Sequence, residues 1–171
     1  MFNRILFALP FFLTSILLQA QDTSRFHFGV HTQTTLSFTG WRQSVNLEFV
    51  TGNNRFYGGS GFSISDTYFP AHTSKGWQLG YRRIFVHDKN WISTAGFHIQ
   101  SLYGAKQNGI YPQTYEAFLN YGLGYTAGRW AIVNTLGFGG YVERFYNTGF
   151  REKQTIEGYN FMLNLMVGYT F

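Results

Sequence analysis

The stretch Tyr159 to Phe171, YNFMLNLMVGYTF, alternates without a break. Tyr159, Phe161, Leu163, Leu165, Val167, Tyr169 and Phe171 fall on one parity. Asn160, Met162, Asn164, Met166, Gly168 and Thr170 fall on the other. A period of two over this length specifies a strand with one apolar face and one mixed face. So long a strand with open edges is a template for aggregation. Pairing it with the first strand of the chain closes a barrel and removes both edges.

The same period runs through the rest of the chain. Arg25 to Phe38 sets Phe26, Phe28, Val30, Leu36 and Phe38 against His27, Gly29, His31 and Gln33. Gly40-Trp41-Arg42 reads as a short connection, and Ser44 to Thr51 as the next strand. Gly52-Asn53-Asn54 is turn chemistry, because Gly and Asn tolerate positive φ. Arg55 to Ser65, Trp77 to Val86, Trp91 to Tyr103, Thr114 to Thr126 and Trp130 to Val142 complete the strands before the last. Asn134 interrupts the apolar parity of its strand and suggests a bulge or a misread register there. The connections at Gly52, His87 and Ala127 are short, whereas Asp66–Gly76, Gly104–Gln113 and Glu143–Gly158 read as long loops. An even number of strands, short turns at one rim and long loops at the other predict an all-β, eight-stranded antiparallel up-and-down transmembrane β-barrel.

Alternation alone does not say which face is outside, and composition is needed for that. Charged residues make up 12% of the chain, against about 25% in ordinary soluble proteins. The mixed face is mostly Gly, Ser, Thr, Asn and Gln, which suits an enclosed interior. Aromatics, 20% of the chain, collect at strand ends. Trp91, Tyr125, Trp130 and Phe171 belong to a girdle at the short-turn rim, and Trp77 to one at the long-loop rim. Such girdles lie at headgroup level. The net charge of +5 comes from scattered residues, so nucleic acid is not an expected partner.

Residues 1–20 read as a cleaved signal peptide, with an apolar run from Ile5 to Leu18 and a small residue at Ala20. Residues 21–171 then form one domain, expected in the bacterial outer membrane after crossing the inner one. There is no cysteine, so no disulfide holds it.

The outward row Leu165, Val167, Tyr169 and Phe171 resembles the C-terminal signal of bacterial outer-membrane proteins. In that family the signal is read by the barrel-assembly machinery. The layout of residues 25–171 is similar to small eight-stranded barrels of the OmpA/OmpX type. The resemblance implies outer-membrane lipid and lipopolysaccharide as surroundings.

An eight-stranded interior is just wide enough to be filled by side chains. The expected interior polar network is Glu48, Arg82, His98, Glu116 and His31, with Glu48 and Arg82 at similar heights. Its plain reading is a rigidifying hydrogen-bond network; the sharper one is a narrow proton or ion path. No metal or cofactor is expected, since His27 and His31 lie about 13 Å apart along one strand. Small barrels also host lipid A hydrolases and acyltransferases. Here His98 and Ser101, three residues apart, fall on opposite faces and form no local dyad, so no catalytic residue is assigned. The expected role is therefore a non-enzymatic structural or surface protein, with a possible partner meeting residues 143–158. A lipid A-modifying enzyme is the alternative.

Overall fold

The computed structural model describes residues 26–66, 74–86, 88–106, 109, 111–147, 150 and 152–171, side chains 66 and 147 excepted. The expected signal peptide lies outside these residues, as does most of the connection after the third strand. Eight strands run in order: β1 His27–Ser37, β2 Gly40–Thr51, β3 Asn54–Asp66, β4 Lys75–Val86, β5 Trp91–Tyr103, β6 Gln113–Ala127, β7 Trp130–Asn147 and β8 Glu152–Thr170. Each pairs antiparallel with its neighbour, and β8 pairs with β1 from Gly29↔Thr170 to Ser37↔Met162. The sheet is a closed barrel with up-and-down connectivity. Closure leaves both edges of β1 paired, which is why a strand with so apolar a face is tolerated.

Two-residue hairpins join β2 to β3 and β6 to β7, where Thr51 pairs with Asn54 and Ala127 with Trp130. Gly52 at φ 54 and Gly128 at φ 61 adopt the left-handed conformation these tight turns need. Both turns lie at the rim that carries the start of β1 and the end of β8.

The barrel inverts the usual distribution of side chains. Leu47, Leu119 and Leu136 point outward at 74%, 75% and 68% exposure, while His98, Glu116 and Asn160 are enclosed at 0–2%. An outer wall of Leu, Phe, Val and Ile around a polar interior is stable in hydrocarbon and unstable in water. The chain is thus a transmembrane barrel in architecture.

Three boundary expectations are corrected. Gly40-Trp41-Arg42 is not a connection; it opens β2, with Trp41 paired to Leu36 and Arg42 to Thr35. The turn is Phe38-Thr39 instead. The alternation already ran into this stretch, since Trp41 shares the outward parity of Val45, Leu47 and Phe49, and only outward Gln43 hid it. Second, Glu143–Gly158 is not a loop. β7 and β8 stay paired through Asn147↔Glu152. Above the membrane the outward face meets water, so hydropathy stops alternating while the two backbones still satisfy each other. Third, there is no bulge at Asn134, which pairs with Leu123 and Leu165 in unbroken register. The irregularity lies between Trp41 and Arg42, where Ile64 is the extra residue of β3.

Candidate functional site

The interior is built in layers. Near the long-loop rim the Glu116 carboxylate, from β6, receives donors from four elements. Arg42 Nη1 donates to Oε2 at 2.6 Å and Asn160 Nδ2 to Oε1 at 2.5 Å. Thr39 Oγ1 and Gln100 Nε2 also donate to it. Arg42 is held in turn by Ser37 Oγ at 2.9 Å and Thr39 Oγ1 at 2.7 Å. Arg42 and Glu116 are 3% and 2% exposed, so this is an enclosed ion pair.

From Glu116 a directional chain descends. The Gln100 amide nitrogen faces the carboxylate, so its oxygen must face His98. His98 Nε2 therefore donates to Gln100 Oε1 at 3.3 Å, and in the neutral ring Nδ1 accepts from the Tyr57 hydroxyl at 3.1 Å. Phe118 stacks on the other side of His98. Beside this chain Gln78 Nε2 donates to Asn46 Oδ1 at 2.6 Å and Ser44 Oγ at 2.8 Å.

The lower layer centres on Glu48. Arg82 Nη2 donates to its Oε1, and the Arg82 guanidinium lies 5.6 Å from the Tyr57 ring centroid. His31 Nδ1 is 3.9 Å from the same oxygen, and its ring meets Tyr57 edge-on. Arg82 Nη1 abuts the Met166 sulfur. Met166 also packs with Ile92 and Val133, flanked by Ile84 and Ala131, as an apolar wall at the short-turn end. A cavity of about 70 Å³ remains between this wall, Glu48, Arg55 and Arg82. His27 is not in the layer; it lines the open mouth with Arg55 and Arg129.

All five residues of the expected network thus face inward, in two groups. Glu48, Arg82 and His31 meet at the lower level; Glu116 and His98 are linked through Gln100 at the upper one. Sequence reasoning missed Arg42, Tyr57, Gln100 as the bridge, and Asn160. Tyr57 was legible as the parity opposite Phe56. Arg42 was lost with the misplaced turn. Ser101 is buried in the outer wall, away from the His98 ring. Both ring nitrogens of His98 are engaged, by Tyr57 and Gln100, and among the described residues no serine or threonine hydroxyl is hydrogen-bonded to it. Among the described residues no three His, Cys, Asp or Glu side chains group as metal ligands do.

The wall carries the expected rings outward: Trp77, Trp91, Trp130, Tyr125 and Phe171 are all exposed. Trp91 packs on Tyr125 with centroids 5.5 Å apart, and Trp130 on Tyr169 at 5.0 Å. Trp41 joins the long-loop rim. Of the outward row on β8, Leu165 and Phe171 are exposed while Val167 and Tyr169 are half-buried. At the long-loop rim β7 and β8 outrun the others. Past Met162, toward Glu152, the edge of β8 that faces β1 has no paired strand among the described residues.

No protein-family model matches the sequence, and none of the curated proteins does. Solved structures do match in fold. The N-terminal β-barrel domain of Pseudomonas aeruginosa OprF superposes with a TM-score of 0.54 at 14% identity, over 85% of this chain and 97% of that one. Neisserial surface protein A, NspA, superposes at 0.50 with 9% identity, over 85% and 97%. The likeness is one of fold, an eight-stranded barrel of the outer-membrane kind.

Proposed function

We propose that this chain, built on the outer-membrane barrel fold, is an integral protein of a bacterial outer membrane. Its interior is a structural plug, and its working surface is the β7–β8 ribbon outside the cell. The observation that carries this reading is the length of the ribbon. β7 has 18 residues and β8 has 19, against 11 and 12 in β1 and β2. The excess extends the β7–β8 hairpin, flanked by β6 as far as Arg144↔Gln113, and among the described residues the edge of β8 that faces β1 is unpaired there. It bears Arg144, Glu152, Lys153 and Glu157 with exposed Phe150 and Tyr159. Such an edge offers backbone donors and acceptors to an extended segment of a partner protein. Residues 143–158 are therefore the interaction surface.

The interior supports a plug rather than a pore. Glu116, Arg42, Gln100, Asn160 and Thr39 meet across the lumen at one level, each 3% exposed or less. The engaged nitrogens of His98 likewise favour a non-enzymatic role. In this reading the girdles sit at the lipid and lipopolysaccharide headgroups. The outward row Leu165, Val167, Tyr169 and Phe171 is what the barrel-assembly machinery recognises, after removal of residues 1–20.

The four lysines test the topology. Lys75, Lys106 and Lys153 lie toward the long-loop rim and Lys89 in a short turn. A membrane-impermeant amine reagent on intact cells should label the first three, and Lys89 only after the outer membrane is opened. The reverse pattern would overturn the assignment of the ribbon to the outside. Lipid A from cells with and without the protein should have the same mass spectrum; altered acylation would establish the enzymatic alternative instead.

A further inference from the structure

The lipid-facing wall holds one cluster of polar side chains that satisfy one another. On β1 and β2, Thr34 Oγ1 donates to Gln43 Oε1 at 2.6 Å, and Gln43 Nε2 donates to Thr32 Oγ1 at 2.6 Å. Thr32 Oγ1 donates onward to the Ser44 carbonyl at 3.2 Å. Asn134 on β7 is treated differently. Its side chain is exposed on the outer wall and has no hydrogen-bond partner among the described residues. Its lateral neighbours are Leu123 and Leu165, and Ile132 and Leu136 flank it along β7, all exposed.

Depth makes this unusual. Asn134 is four residues above girdle residue Trp130. At about 3.3 Å per residue and a tilt near 40° that is roughly 10 Å, close to the middle of an apolar band about 25 Å tall. Hydrocarbon offers an amide neither donor nor acceptor, so both of its ends stay unsatisfied there.

We propose that Asn134 is the centre of a two-fold interface between two copies of this chain within the membrane. An amide carries both a donor and an acceptor, so two asparagines face to face satisfy each other with a reciprocal pair of N–H···O bonds. A different membrane protein would need a polar group at this depth by coincidence; a second copy has it by construction. In an isologous contact residue i meets j and j meets i. Leu123 of each copy then faces Leu165 of the other, and aliphatic side chains pack around the central amide pair, excluding lipid from it.

The test uses the full chain in phosphatidylcholine vesicles. The protein has no cysteine, so single engineered ones report cleanly. Copies labelled at Asn53→Cys with donor or acceptor dyes should show saturable energy transfer as protein density rises. Asn134→Leu should shift the half-point to about tenfold higher density, and Asn134→Gln should retain most of the association. The leucine variant faces lipid and should fold, as judged by heat-modifiable mobility on gels. With Asn134 intact, Leu123→Cys copies mixed with Leu165→Cys copies should crosslink on oxidation. Ser60→Cys copies, on β3 across the ring, should not. Transfer no greater than random proximity in the parent protein, equal association of Asn134→Leu, or equal crosslinking through Ser60→Cys would each overturn the interface.

Discussion

Replacing Arg42 by methionine strands the Glu116 carboxylate without the guanidinium that faces it at 2.6 Å. Methionine keeps most of the side-chain volume, so the change is mainly one of charge. Removing one partner of an enclosed pair costs about 3–5 kcal/mol, because the remaining charge stays desolvated. Glu116 retains Thr39, Asn160 and Gln100 as donors, which places the expected loss at the lower end, about 3 kcal/mol. The double variant Arg42→Met with Glu116→Gln removes the stranded charge. It should regain about 2 kcal/mol relative to Arg42→Met alone. Urea unfolding from phospholipid vesicles measures this. All four tryptophans, Trp41, Trp77, Trp91 and Trp130, face outward, so their emission reports the passage of the wall from lipid to water. If Arg42→Met stays within about 1 kcal/mol of the parent, or the double variant is the least stable of the set, the enclosed pair does not stabilise the barrel as argued.

Glu48→Gln and Arg82→Gln should each lower stability by about 1–3 kcal/mol, less than at Glu116 because Arg82 is 11% exposed beside the open mouth. If both variants unfold like the parent, the lower pair contributes nothing. Gly80→Ala places a methyl 2.2 Å from Cζ of Tyr57, so the ring must shift from His98. A loss of about 1–3 kcal/mol is expected, and an unchanged urea midpoint would contradict the packing. In planar bilayers the purified protein should give no stable conductance, since side chains fill the lumen at the Glu116 level; steady single-channel openings would refute that.

The alternation of β8, together with the same period in seven earlier stretches, was enough to specify eight strands, their sidedness and the closed ring. Those follow from the sequence because a period of two assigns every side chain to a face, and the shortage of charge decides which face meets lipid. Inward placement of Glu48, Arg82, His98, Glu116 and His31 came from the same parity. Their partners did not. Arg42 meets Glu116 across 74 residues of chain. Which inward residues share a level depends on how far each strand is shifted against the next, and local sequence does not encode that register. The extent of β7 and β8 was also hidden, because outside the membrane two strands hold each other by backbone hydrogen bonds whatever their hydropathy. Asn134 shows the division in one residue. The sequence marks it as a break in the apolar parity, but only the closed structure decides that the ladder continues through it and leaves its amide facing lipid.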